Sequence, residues 1–231
     1  MVLGNSSMAA RRPGVAGQAE AMRLSSHTVV FNRLIERMAE ATDVIDLSRI
    51  IKGNVDFLLQ QQVRLHYPDF THRLLEMRAE EGRASATHVG QQLNDQGYVD
   101  LAEEIAAEES AEVRLPPLFP DLTEVDCVLA WDLLHYMNRP EVTELSRLLA
   151  EEMKRGGVLY LVNSTHAKIA MEPMRCVIED EAHILFDGCD AGEFISPGYS
   201  QREIVDMMPE FQLMHATLLQ NGLQEMLLQK R

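Results

Sequence analysis

Three cysteines, one tryptophan and 21 basic residues are all that this 231-residue chain carries of those types, and each shortage excludes something. Cys127, Cys176 and Cys189 are odd in number and scattered, with no C-x-x-C pair. That argues against a disulfide framework and against a thiolate zinc site, and leaves buried or free thiols in a reducing cytoplasm. Lys and Arg are outnumbered by 36 Asp and Glu, for a formal net charge of -15. Nucleic acid and anionic membrane surfaces both need a basic footprint, so neither is expected as the main partner. No apolar run approaches the roughly 20 residues that cross a bilayer, and the N-terminus lacks the continuous apolar core of a secretory signal. A G-x-G-x-x-G fingerprint is also missing, which weighs against a nicotinamide-dependent oxidoreductase.

What is present is ordinary material for an α/β domain. Hydrophobic residues make up 46% of the chain, and its length allows a sizeable core. Residues 1–22, rich in Gly, Ala and Ser, can bury little and read as a flexible tail, with 23–231 as one domain. From Ser25 the pattern is helical, with Val29, Val30, Leu34 and Met38 near three-to-four spacing. Strand-like runs follow at Val44–Leu47, Val63–Tyr67, Asp126–Trp131 and Val158–Val162. They alternate with helix-like runs at Val55–Gln61, His72–Glu80, Val99–Glu109 and Glu141–Lys154. Such alternation implies a mostly parallel sheet with helices on both faces. Arg155-Gly156-Gly157 reads as a glycine stop for the last of those helices. A third strand is expected around Ala86–Val89, or else Ala111–Leu115. Near the C-terminus, Asn221-Gly222 sits between two β-compatible runs and reads as a type I′ hairpin turn.

Five blocks, in order, resemble class I S-adenosylmethionine-dependent methyltransferases: VIDLS (44–48), VRLHYPDF (63–70), VDCVLAWDLLHYM (125–137), EEMKRGGVLYLV (151–162) and the final TLLQNGLQEMLL. The resemblance runs from Thr42 to Arg231. It implies a Rossmann-like fold with a seven-stranded, mostly parallel sheet closed by a C-terminal antiparallel hairpin. It also implies S-adenosylmethionine as cofactor and a small-molecule or protein methyl acceptor. Methyl transfer leans on positioning, because the sulfonium is already a strong electrophile, so no catalytic signature is required.

The candidate site residues stand at strand ends, where a parallel sheet binds its ligands. In the family the residue matching Asp46 lies near the methionine end of the cofactor; the bland reading is a buried carboxylate capping the next loop. The usual glycine slots after it read Ser48, Ile50 and Lys52. Ser48 is small enough to serve. Ile50 is bulky and β-branched and, with Ile51, reads as an apolar lid or partner contact. Gly53 and Asn54 both tolerate left-handed backbone, so the sharp turn is expected to have shifted to them. Asp69 comes 23 residues after Asp46, a spacing that suits a carboxylate on the ribose hydroxyls; its alternative is a helix N-cap. Trp131 lines a pocket or packs in the core, and Asp132 contacts a polar ligand group. His135 is the candidate proton acceptor, or a structural histidine. Asn163, Ser164 and His166 after the fifth strand line the substrate side or are plain loop polars.

Two function classes follow. One is a methyltransferase, carried by Asp46, Asp69 and Asp132. The other is a catalytically inactive relative acting as a binding or assembly module, with a protein partner or a second copy. Ile50, Ile51 and Lys52 in the cofactor loop favour this, as do 13 adaptable methionines.

Overall fold

The computed structural model describes residues 23–38, 43–80, 113–118, 124–188 and 192–231. Its elements in chain order begin with β1 (Arg23–His27), α1 (Val29–Met38), β2 (Asp43–Asp46), α2 (Lys52–Gln60), β3 (Arg64–His66) and α3 (70–80). Next come β4 (Val125–Trp131), a 3-10 turn at Leu133–Tyr136, α4 (Arg139–Glu152) and β5 (Met153–Ser164). The rest are β6 (Lys168–Ala170), β7 (Arg175–Asp180), β8 (His183–Asp187), β9 (Glu193–Ile195), α5 (Gln201–Met207), β10 (Phe211–Leu218) and β11 (Leu223–Lys230).

Among the described residues six strands form the central sheet, in the order β10-β11-β5-β4-β2-β3. Strands β3, β2, β4 and β5 run parallel, while β11 pairs antiparallel with β5 and β10 antiparallel with β11. This is a mixed α/β architecture with a Rossmann-like central sheet. The third strand expected at Ala86–Val89, which would make the sheet seven-stranded, lies outside the described residues, as do the tail and the helix-like run Val99–Glu109; Val113–Leu115 is not strand.

Burial of the sheet on both faces follows from its period of two. Along β4, Cys127, Leu129 and Trp131 face one core and Val128 and Ala130 the other; along β5, Tyr160 and Val162 alternate with Leu159 and Leu161. The first face is covered by α1, through Phe31, Leu34 and Met38, and by β7 and β8, through Cys176, Ile178 and Phe186. The second is covered by α3, α4 and α5, through Leu74, Leu145 and Ile204. Helix α4 starts at an Asn138 capping box with Glu141, and α5 at one between Ser200 and Glu203.

Several local expectations are corrected. The helix expected from Ser25 is a strand up to His27; β1 pairs with β8, and α1 begins at Val29. Tertiary pairing overrides the weak local periodicity there. Helix α4 ends before the glycines, with Met153 as C-cap already extended. Gly156, at φ 83, and Gly157 instead form an irregularity within β5, between the pairs Val125–Met153 and Cys127–Val158. A Cβ on Gly157 would lie 2.9 Å from the Lys154 carbonyl oxygen and 3.1 Å from that of Asp126. The C-terminal hairpin is present, but its connection spans 219–222 and only Gly222 takes positive φ. Asn221 contributes by accepting the Leu223 N–H on Oδ1 rather than through a left-handed backbone. The small antiparallel sheets β1-β8-β7 and β6-β9 were not anticipated at all.

Candidate functional site

The strand order reverses direction at β2. From β2 the chain steps outward to β3, then crosses back to β4 on the other side. In open α/β sheets the crevice beyond the carboxyl ends of the strands at such a point is where ligands sit. A cavity of about 610 Å³ opens there, lined among others by Ser48, Ile51, Lys52, Thr71 and Asp132. A second cavity, of about 590 Å³, lies beyond the ends of β4 and β5, lined among others by His135, Ser164, His166, Lys168 and Glu193. Asp132, Met174 and Gly188 line both, so the two spaces meet at one wall.

The base of the first cavity is a packed polar knot. Asp46 is 1% exposed, and its Oδ1 accepts from Ser48 N at 2.9 Å, Ser48 Oγ at 2.7 Å and Trp131 Nε1 at 2.9 Å. Its Oδ2 is buried with no partner among the described residues, and so is the Tyr67 hydroxyl. Burial raises the Asp46 carboxyl to about 6 against those hydrogen bonds, and the Tyr67 hydroxyl is raised by burial and by the Asp46 charge. Orphaned buried polar atoms of this kind call for a ligand or an ordered water.

Trp131 is a core residue. It is 1% exposed, and its ring meets Tyr160 edge-on at 5.5 Å and tilts against Phe31 at 6.2 Å. Its backbone takes φ 45, a left-handed conformation costly for a bulky side chain, at an irregularity in the pairing of β4 with β5. Sequence pattern gives no sign of that strain. The residue therefore holds Asp46 from below and ends the strand, and Asp132 comes next at the wall between the cavities. Asp132 is 3% exposed, and its Oδ2 accepts the Met174 N–H at 2.8 Å. Burial raises its carboxyl to about 6.

The three carboxylates do not all line one crevice. Asp132 lines the first cavity, Asp46 is buried beneath its loop, and Asp69 stands exposed with φ 53 outside the lining. The turn expected at Gly53-Asn54 is corrected too. Both residues belong to α2, neither has positive φ, and a Cβ on Gly53 would meet nothing within 4 Å. Asn54 is 1% exposed and turned to the neighbouring sheet: Nδ2 donates to the Cys176 carbonyl at 2.7 Å and Oδ1 accepts the Ile178 N–H at 2.8 Å. Ile50 and Lys52 do not fill the cavity. Ile50 is 68% exposed and the Lys52 side chain 92% exposed.

His135 is buried, and its Nε2 accepts the Ser164 N–H at 2.6 Å. Burial lowers it to about 4, the Asn163 side chain opposing. Its lone pair is committed to tying the 3-10 turn after β4 to the end of β5, a use that leaves none for a ligand proton. Met174, Arg175 and Gly188 were missed as lining residues because they come from the β6–β9 insertion. The alternating run RCVIEDEAHILFD around Asp180-Glu181-Ala182 is the signal that could have revealed its longer hairpin.

No family model matches the chain, and no curated protein matches it. Among solved structures, the fold is similar to a Pyrococcus horikoshii protein at 11% identity, TM-score 0.47, covering 86% of each chain. It is similar to an S-adenosylmethionine-dependent methyltransferase of Clostridium acetobutylicum at 12% identity, TM-score 0.46, covering 87% of this chain and 89% of that one. It is also similar to magnesium protoporphyrin IX methyltransferase of Synechocystis, solved with bound S-adenosylmethionine, at 12% identity, TM-score 0.43, covering 87% and 78%. Among the described residues no helix is long and apolar enough to cross a membrane, and no cluster of His, Cys, Asp and Glu could hold a metal ion.

Proposed function

We propose that this chain is an S-adenosylmethionine-dependent methyltransferase whose acceptor is a small molecule. The observation that carries the reading is the pair of cavities meeting at Asp132, Met174 and Gly188, one at the switch point of the sheet and one beside it. Methyl transfer needs a donor and an acceptor site in contact and little else from the protein.

The residues fit the donor's chemistry. Ile51, the N-cap of helix α2, offers no side-chain cap, so the first-turn N–H groups remain available to a carboxylate. Arg49, Lys52 and Arg175 line the same cavity and favour the same group. The Asp132 carboxylate suits the sulfonium or ammonium, and the orphaned Asp46 Oδ2 suits an amino group reached directly or through water. Ser48 lines the cavity, with its backbone N–H and its hydroxyl both turned to Asp46 Oδ1. When bound, the donor supplies an activated methyl group. The chain's part is to align that group with the acceptor and to exclude water. The β6–β9 insertion, which supplies Lys168, Ile169, Ala170 and Glu193 to the second cavity, gives that space the volume and mixed lining of a small-molecule site.

Calorimetric titration with S-adenosylmethionine tests the reading. Wild type is expected to bind in the micromolar range, and Asp132→Asn, which keeps the acceptor for Met174 N–H but removes the charge, to bind roughly tenfold more weakly, about 1.4 kcal/mol. Asp69→Ala is expected to bind like wild type. Absence of heat with wild type would leave the fold without this function.

A further inference from the structure

Two histidines line the second cavity, and their hydrogen bonds put their protons on opposite nitrogens. His135 Nε2 receives the Ser164 N–H, so it is the unprotonated nitrogen and its lone pair is used. His166 Nε2 lies 2.8 Å from the Asn221 carbonyl oxygen. A carbonyl oxygen only accepts, so Nε2 of His166 carries the hydrogen and Nδ1 is the basic nitrogen.

That ring is held in place by its surroundings. The His166 N–H donates to Ser164 Oγ at 3.1 Å, and Thr165 donates to the Gly222 carbonyl twice, from N at 3.0 Å and Oγ1 at 2.7 Å. The end of β5 is thereby fastened to the β10–β11 turn. The ring then fits against Gly222: a Cβ there would lie 2.9 Å from both Cε1 and Nε2 of His166. With φ 78 as well, the position suits glycine on two independent grounds. His166 is exposed where His135 is buried, so it can exchange its proton with solvent.

We propose that His166, and not His135, is the proton acceptor of the second cavity. It serves a ligand bearing a hydroxyl, thiol or ammonium group; its role as the base for methyl transfer rests on the function proposed above. In the step, Nδ1 of His166 takes the proton of the ligand's O–H, S–H or N–H and the new N–H bond forms. The electron pair of the broken bond stays on the ligand atom, which becomes the nucleophile. The imidazolium then releases its proton to bulk water.

Nitrogen-15 spectra of histidine-labelled full-length protein, with resonances assigned by loss in His166→Gln and His135→Gln, test the tautomers. His166 is expected as the Nε2–H form and His135 as the Nδ1–H form. In Gly222→Ala the His166 nitrogens are expected to move toward averaged shifts while those of His135 stay. Diethyl pyrocarbonate, which acylates an accessible unprotonated imidazole, is expected to label His166 at least about tenfold faster than His135 by peptide mapping, following their difference in accessibility. An Nδ1–H form for His166, or equal labelling of the two, would overturn the assignment. Titration with S-adenosylhomocysteine separates the two proposals: His166→Gln is expected to bind it as wild type does. Failure of wild type to bind would remove the methyltransferase reading while the spectra still decide the histidine.

Discussion

At the scale of single residues, the polar side chains around the strand ends divide into those spent on structure and those left for a ligand. Asn54 belongs to the first group. Both ends of its carboxamide serve the β7 backbone, at Cys176 O and Ile178 N. Asn54→Ala leaves two buried backbone groups unpaired and is expected to destabilise the protein by about 3 kcal/mol, read by urea denaturation. Ser48→Ala, by contrast, removes a single donor from Asp46 and leaves the Ser48 N–H and Trp131 Nε1 contacts in place. Asp46 Oδ2 and the Tyr67 hydroxyl, buried with no partner among the described residues, fall in the second group under the proposed function, as does His166 Nδ1 under the proposed tautomer. The division was not readable from the sequence. Asp46 and Asn54 both looked like cofactor contacts because each stands at the right place along the chain. Which way a side chain is used depends on partners more than 80 residues away, Trp131 for one and Cys176 for the other.

At the scale of elements, strongly periodic segments were legible and insertions were not. The strands β2, β4 and β5, helix α4 and the terminal hairpin follow from apolar pattern and turn chemistry, because those elements bury one or both faces in the main sheet. Strands β1, β6 and β9 are short and paired over long sequence distances, β1 with β8 and β6 with β9, so local pattern underdetermines them; only the β7–β8 hairpin is local. Gly156-Gly157 did not mark the helix end, since both lie inside β5 beyond the last turn of α4. Gly157 sits where β4 and β5 approach closely, its missing Cβ leaving room for the carbonyls of Val125, Asp126 and Lys154. Those are backbone atoms and cannot rotate away. Gly157→Ala is therefore expected to cost about 2 kcal/mol by overpacking, seen as a lowered thermal midpoint. A variant as stable as wild type would show that the strand start is looser than its geometry indicates.

At the scale of the whole molecule, buried carboxylates give stability a pH dependence of unusual direction. Burial raises Asp46 and Asp132 to about 6 and Glu225 to about 7. Glu225 accepts from the Tyr160 hydroxyl at 2.5 Å inside the core under α1. Their unfolded values lie near 4, so between those limits the folded state holds more protons than the unfolded one. The contribution is thus complete below about pH 4 and is lost as pH rises through 6 to 7. Buried His135, lowered to about 4 against an unfolded value near 6.5, opposes this below about pH 6.5, but the three carboxylates together outweigh one imidazole, so the expected net effect is a thermal midpoint that falls from pH 5 to pH 8. Asp46→Asn keeps the Oδ1 acceptor, removes the charge and should flatten part of that fall. A midpoint that rises over the same interval in wild type would contradict the assignment of these groups as buried and under-paired.

In the proposed function, the crevice between the Ser48–Lys52 loop and Asp132 holds an adenosyl donor with its reactive end toward the second cavity. A crystal structure of the full chain grown with S-adenosylhomocysteine tests it most directly. The expected result is ligand density between residues 48–52 and Asp132, the carboxylate at the start of α2 and the sulfur beside the wall formed by Asp132 and Met174. Ligand bound elsewhere, or a crevice closed over by the Glu172–Arg175 segment with no ligand inside, would contradict it.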